Sequence, residues 1–329
     1  MTDAAPLLKV KHLSKDYHGV DGNVVRAVNN VSLSIANGEV LGIVGESGCG
    51  KSSLGRSILR LIEPTEGVIE FAGRDLMMLN RSEMKSVRQD MQIIFQDPYG
   101  SLNPRHRVGG ILAEPLKVHR VGNKADQRQR VIEILDLVGL PADASTRYAH
   151  EFSGGQRQRI AIARALVLNP KFLIADEAVS ALDVSIQSQI INLLNGLQKR
   201  LSITMLFISH DLSVIRHVCD RIAVMYLGRI VETGTISDVL DSPQHPYTQA
   251  LVSAVPNPAK RREQRIILQG ELPNPANPPP GCHFNTRCSG MNSRVQEQCL
   301  MHAPQLVKRQ AGTQSHHTRQ LACHLYAPL

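Results

Sequence analysis

The chain has 329 residues and a formal net charge of +8, which leaves room for one large α/β domain with an appendage or for two ordinary domains. Its hydrophobic fraction of 42% suits a globular protein, and no run of about 18 apolar residues predicts a membrane span. Only 4% of the residues are aromatic, none is Trp, and Lys and Arg are scattered, so nucleic-acid binding is disfavoured.

The first part of the chain predicts strands that lead into a glycine-rich loop. The N-terminal residues lack a basic segment followed by an apolar one, so we expect no signal peptide and a cytoplasmic location. Alternation over residues 7–44 predicts strands, with a turn at Asn37-Gly38 and a short apolar run at 40–44. The pattern then predicts a helix from near Lys51 and strands at 66–73 and 91–96.

The middle of the chain alternates helices and strands. Helical spacing from about residue 97 to 169 predicts a helical insertion between strands. The alternation as a whole predicts an α/β fold with a mostly parallel, covered sheet. The predicted helices lie at 131–140, 155–168 and 184–201, and the predicted strands at 171–177 and 203–209.

Composition changes near Val255. Residues 257–265 are polar and basic, and the Pro-rich residues 273–281 cannot form a helix or a central strand. We therefore predict one α/β domain over residues 1–255, with the helical insertion at about 97–169, and a small Cys-containing C-terminal module over residues 256–329.

A phosphate-binding loop is predicted at residues 45–52, GESGCGKS, which fits G-x-x-x-x-G-K-[ST] between a strand and a helix. Its glycines let the backbone wrap the phosphates, and the amides and helix start supply partial positive charge. Lys51 is expected to reach the β- and γ-phosphates, and Ser52 to ligate Mg²⁺. The predicted nucleotide contacts are Gly45, Glu46, Ser47, Gly48, Cys49, Gly50, Lys51, Ser52 and Ser53.

The apolar strand FLIADE, residues 172–177, ends in two acidic residues. Asp176 is predicted to hold Mg²⁺, and Glu177 to polarise the attacking water as a general base.

The segment FSGGQ, residues 152–156, predicts a second anion site. Ser153 can cap the helix that follows, Gln156 completes a capping box, and Gly154 and Gly155 leave the helix start bare. Because residues 45–52 already hold this chain's own ATP, the second site suggests a phosphate offered by another subunit. An ordinary capped helix is the alternative.

With these motifs, residues 1–255 resemble the ATP-binding subunits of ABC transporters, so the chain is identified as an ABC-type P-loop ATPase. The resemblance implies that Gln96 touches Mg²⁺ and senses the membrane subunits, and that His210 contacts the γ-phosphate. It further implies a dimer-contact loop at 180–183 that includes Asp183, and an adenine-stacking role for Tyr17. Ala178, where the family usually has Pro, is a departure that removes no chemical group.

Residues 242–256 and 270–288 resemble the dipeptide and oligopeptide importer ATPases, most closely the F-type subunit of dipeptide permeases. That resemblance implies two membrane permease subunits, a paralogous ATPase partner (or a second identical chain), an extracytoplasmic peptide-binding protein and a place at the cytoplasmic face of the membrane. Transporters for nickel or glutathione share the pattern. A soluble ABC ATPase of DNA repair or translation is the other alternative, although this chain has neither paired nucleotide domains nor a long coiled coil.

Four cysteines lie close together near the end of the sequence: Cys282, Cys288, Cys299 and Cys323. They contain no C-x₂-C pair, so the spacing alone is a weak metal signal. Four thiolates can hold a [4Fe–4S] cluster, and the family resemblance implies one. Zn²⁺ and unligated thiols are the alternatives, since a Cys₄ set also suits zinc and several histidines lie nearby (His283, His302, His316, His317 and His324).

Overall fold

The computed structural model describes residues 5–19, 22–180, 182–255, 266–309 and 319–326. Three parts of the sequence predictions lie outside these ranges: Ala181 of the dimer-contact loop, the basic residues 257–265, and the zinc-ligand candidates His316 and His317.

The strands are β1 (Leu8–His18), β2 (Val24–Ile35), β3 (Val40–Val44), β4 (Glu66–Phe71), β5 (Arg74–Asp75), β6 (Met91–Ile94), β7 (Phe172–Asp176), β8 (Thr204–Ile208), β9 (Arg221–Tyr226), β10 (Arg229–Thr235), β11 (Val307–Arg309) and β12 (Arg319–Leu321). The helices are α1 (Lys51–Ile58), α2 (Arg81–Asp90), α3 (Pro98–Ser101), α4 (Val108–Val118), α5 (Lys124–Leu137), α6 (Gly154–Leu166), α7 (Val184–Leu201), α8 (Leu212–Val218), α9 (Pro246–Ser253) and α10 (Gln296–Met301).

The chain divides into two compact units. The first consists of Met1–Leu7, Ile35–Glu39 and Phe71–Ile208, and the second of Leu8–Ser34, Val40–Glu70 and Ser209–Leu329. No helix in the described part of the chain is long and apolar enough to cross a bilayer.

In the first unit, β6, β7 and β8 form parallel pairs, with Met91 opposite Phe172 and Asp176 opposite Ile208. Every residue of β7 and β8 is buried, as expected for parallel strands covered on both faces. Between β6 and β7 the described elements from α3 to α6 are helices, and α7 has the predicted bounds. Helix α5 begins earlier than predicted because Asn123 and Asp126 form a capping box at its start.

In the second unit, one sheet has the strand order β2-β1-β4. A second group has the order β11-β12-β10-β9-β3, in which only β3 and β9 are parallel. The expectation of a mostly parallel sheet is therefore wrong for this unit, where the chain after Ser209 adds antiparallel strands.

The described C-terminal residues belong to this second unit, because β12 pairs with β10. Glu232 of β10 is fully buried and accepts hydrogen bonds from Arg319 of β12 and from the amides of Gln244 and His245. A separate Cys-containing module is thus not confirmed.

Candidate functional site

The glycine-rich loop lies in the second unit, between the fully buried β3 and α1. Gly45, Gly48 and Gly50 have φ angles of 156°, 80° and 103°, which side-chain-bearing residues rarely adopt. A Cβ atom would collide with the Met225 carbonyl at Gly45 and with the Ala27 carbonyl at Gly50. The glycines are therefore required for the backbone to wrap tightly, as the motif predicts.

Lys51 lies inside this loop with only 4% of its surface exposed. Its Nζ donates to the carbonyl oxygens of Gly45 at 2.9 Å and Glu46 at 3.0 Å. The ammonium group thus occupies the concave side of the loop, which is where phosphate oxygens are expected to bind.

Other predicted nucleotide contacts lie on the same loop and on the strand and helix next to it. Ser52 and Ser53 are half-buried in the first turn of α1. The hydroxyl of Tyr17, the predicted adenine-stacking residue, donates to Ser53 Oγ at 3.4 Å, and the Tyr17 ring is partly exposed. Burial raises the pKa of the Cys49 thiol, which stays protonated and acts as a small filler.

The loop has a partner that the sequence did not predict. The Glu46 amide donates to Tyr247 Oη at 2.9 Å. The Glu46 carboxylate accepts two hydrogen bonds from Arg287, at 2.7 Å from Nη1 and 3.1 Å from Nη2. Both the main chain and the side chain of Glu46 are therefore held by residues that lie about 200 or more positions later.

An aromatic cluster accompanies these contacts. The rings of Tyr226, Tyr247 and Phe284 are buried, with centroids 4.7 to 5.4 Å apart. His245 packs on Phe284 and accepts the Tyr247 amide through Nδ1, and burial lowers the pKa of His245 to about 3. In the sequence, the aromatic residues Tyr247 and Phe284 in and after the 242–256 segment are the signal that could have indicated packing of this segment near the loop.

In the first unit, the acidic pair lies at the end of β7, with Asp176 as its last residue and Glu177 directly after it. Asp176 is 1% exposed, and Glu177 takes a left-handed backbone with φ of 48°. The Glu177 amide donates to the Ile208 carbonyl, and Gln96 Nε2 donates to Glu177 Oε2 at 3.0 Å. The structure thus brings Gln96 and Glu177 together. Within this unit, a carboxylate and an amide oxygen are the kind of oxygen ligands that suit Mg²⁺.

The capping box predicted at the start of α6 is confirmed. Gln156 N donates to Ser153 Oγ at 3.4 Å, and Ser153 N donates to Gln156 Oε1 at 3.0 Å. Ser153 is exposed, Gly154 is half-buried, and no acidic residue lies in the first turn. The positive end of the helix is thus accessible to an anion.

Two further predicted residues lie at helix starts. Asp183 precedes α7 and is exposed, and its side chain does not cap the helix. His210 is exposed in the second unit, between Ser209, whose amide donates to the Ile43 carbonyl, and Asp211, which caps α8.

The four C-terminal cysteines are free thiols that influence one another. Burial, and then Cys299 and Cys288, raise the pKa of Cys282 to about 11. Burial, and then the other three thiols, raise the pKa of Cys323 to about 12. The donor set has the number and kind of ligands for a cluster or for zinc. However, within the described residues no group of three or more His, Cys, Asp or Glu is arranged to hold a metal ion.

Comparison with known families gives two matches. The model of the ABC transporter family matches residues 28–180, and that of the oligopeptide/dipeptide transporter C-terminal region matches residues 231–299.

Individual relatives match nearly the whole chain. A putative peptide import ATP-binding protein of Brucella ovis is 53% identical over 308 residues, covering 93% of this chain and 96% of the relative. The oligopeptide transport ATP-binding protein AppF of Bacillus subtilis is 52% identical, covering 92% and 90%. The dipeptide transport ATP-binding protein DppF of Escherichia coli is 49% identical, covering 92% and 93%.

Solved structures agree at the level of the cassette. The dimeric post-hydrolysis state of the ATP-binding cassette MJ0796, bound to ADP and Pi, matches with a TM-score of 0.64 and 31% identity, covering 70% of this chain and 98% of that one. CbiO1 of Clostridium perfringens, part of the transporter complex CbiONQ, matches with a TM-score of 0.63 and 32% identity, covering 72% and 91%.

Proposed function

Since the chain belongs to the ATP-binding subunits of the oligopeptide and dipeptide ABC transporters, we propose that it hydrolyses ATP to power the import of dipeptides or oligopeptides through a membrane permease. The observation that carries this proposal is the glycine-rich loop with Lys51 inside it, in a chain whose peptide-transport relatives match it almost end to end. Nickel and glutathione remain alternative substrates for the same machinery.

The proposed chemistry is in-line attack of water on the γ-phosphate. Glu177 polarises the water and is oriented by the amide of Gln96. Lys51 and His210 contact the β- and γ-phosphates, and Tyr17 stacks on adenine. Mg²⁺, for which Ser52, Asp176 and Gln96 are the proposed ligands, supplies charge neutralisation on the phosphates.

We further propose that the protein works as half of an ATPase dimer. The exposed start of α6, with Ser153, Gly154 and Gly155, binds a phosphate held on the loop of a second ATPase subunit, and Asp183 contributes to that contact. A paralogous ATPase is the proposed partner, with a second identical chain as the alternative. The ATPase dimer is proposed to sit at the cytoplasmic face of the membrane on two membrane permease subunits, and an extracytoplasmic peptide-binding protein completes the assembly.

Substitution of the proposed base tests the activity. The Glu177→Gln variant should bind MgATP with unchanged affinity and lose at least about a hundredfold in turnover, because the general base is removed. The wild-type chain, purified with its permease subunits in vesicles, should show ATPase activity stimulated by peptide and binding protein. Stimulation by DNA or ribosomes in their place would favour the soluble alternative and overturn the transport proposal.

The four thiols are proposed to bind a [4Fe–4S] cluster, with one zinc ion as the rival. The proposal rests on the four-thiol donor set alone, and binding would require the side chains to draw together, because the described residues hold no group of three or more metal-binding side chains. Such a cluster would cross-link the C-terminal segments and could exchange an electron. Anaerobically purified protein should contain about four iron atoms per chain and lose them in Cys288→Ser. A colourless, iron-free protein containing zinc would contradict the cluster.

A further inference from the structure

We propose that Arg287 is a positioning residue for nucleotide binding, which neutralises the carboxylate of Glu46 and so makes the phosphate-binding loop acceptable to an anion. The inference rests on the loop's role in binding ATP phosphates and concerns a residue outside the cassette motifs.

The loop contains one acidic side chain. Within residues 45–53, Glu46 is the only acid and Lys51 the only base. A carboxylate close to bound phosphates repels them, and this repulsion is strong where water is partly excluded. In the structure this charge is compensated by Arg287, which donates to the Glu46 carboxylate. The ammonium group of Lys51 instead donates to main-chain carbonyl oxygens of the loop.

The geometry of the pair favours a fixed arrangement. Arg287 uses both Nη atoms on both carboxylate oxygens, which is the bidentate form of the arginine–carboxylate contact. Its side chain is only 7% exposed, whereas that of Glu46 is 29% exposed. The arginine side chain is thus largely buried, and it holds a carboxylate that is only partly exposed.

The main chain around the pair is held as well. Phe284, three residues before Arg287, packs edge-on against Tyr226, and Tyr247 accepts the Glu46 amide. These contacts orient Arg287 and Glu46 before nucleotide binds. Because the Glu46 carboxylate is already neutralised by Arg287, no side chain of the loop has to move before phosphate binds.

A charge test separates this role from simple packing. In the purified chain at about 50 mM salt, Arg287→Met should weaken MgATP binding by about tenfold, because it leaves an unpaired carboxylate in the loop. The double variant Glu46→Gln/Arg287→Met lacks the same arginine but also the carboxylate charge, and should bind MgATP several-fold more tightly than Arg287→Met. At about 500 mM salt the defect of Arg287→Met should shrink, as expected for a screened charge.

Arg294, an exposed arginine of the same segment, provides the matched control, and Arg294→Met should leave affinity unchanged. Affinities are measured by calorimetry, with thermal melts of the nucleotide-free proteins to show that each variant is folded. Equal weakening in Arg287→Met and in the double variant, or no weakening in either, would overturn the proposal. Failure of the wild-type chain to bind MgATP would instead contradict the proposed function.

Discussion

Gly155, in the first turn of α6, lies where an added side chain would meet α7. A Cβ atom there would be 2.6 Å from Cγ2 of Ile186, which is closer than van der Waals contact allows. Gly196 in the interior of α7 has no atom within 4 Å of the same position. The first glycine is therefore needed for close helix packing, and the second is not.

We predict opposite effects of alanine at these two glycines. Gly155→Ala should lower the free energy of unfolding by about 1–3 kcal/mol, because Ile186 or the start of α6 must shift. Gly196→Ala should raise it by up to about 1 kcal/mol, since alanine is favoured in a helix interior. Urea unfolding followed by circular dichroism measures both, and equal destabilisation would contradict the packing explanation.

Among the elements, β12 is attached to β10 by an ion pair as well as by backbone pairing. Glu232 is 0% exposed and Arg319 is 7% exposed, and Arg319 also donates to the Ser242 carbonyl at 2.7 Å. Arg216 and Asp241 form a contrasting pair, because both side chains are half exposed. The protein thus contains one arginine–carboxylate ion pair that is buried and one that is exposed to solvent.

We expect removal of the buried arginine to be much more harmful than removal of the exposed one. Arg319→Met should cost about 3 kcal/mol of the free energy of unfolding, because Glu232 would keep a buried charge with only two amide donors. Arg216→Met should cost less than about 1 kcal/mol. The Glu232→Gln/Arg319→Met variant should recover part of the loss in the same denaturation experiment, and no recovery would show that the charge is not the cause.

Local sequence signals were sufficient where an element carries its own chemistry. The capping box of Ser153 and Gln156 and the loop around Lys51 depend on residues a few positions apart, and both were predicted correctly. The contact between Glu46 and Arg287 spans 241 positions, and no local pattern indicates it. Strands β11 and β12 have three residues each, too few for a period to be read, and β12 pairs along β10 and is held there by a buried ion pair.

For the whole molecule, the main consequence of the proposed function is that the chain carries two elements proposed to bind phosphate. The glycine-rich loop has a lysine inside it, and the start of α6 is a bare, accessible helix end without an acidic residue in its first turn. In the proposed dimer, each α6 start faces the nucleotide of the other subunit, so each of the two elements has a phosphate to bind.

A charge at the start of α6 provides a test of this assembly. An aspartate at Gly154 should leave the monomer folded, because an acidic residue in the first turn of a helix is favourable. The same carboxylate would repel a phosphate presented by another subunit. In the Glu177→Gln background with MgATP, Gly154→Asp should therefore abolish dimerisation, whereas the neutral Gly154→Asn of similar size should largely retain it.

Light scattering measures the result, both for this chain alone and for its mixture with the paralogous ATPase carrying the matching glutamine. The parent Glu177→Gln chain should have the 36.2 kDa mass of one chain without nucleotide. Its mass should double with MgATP and return to that of the monomer with MgADP. Dimers in both the aspartate and the asparagine variant would show that the α6 start does not bind the partner's phosphate. Monomers of the parent under every condition would contradict the dimer itself.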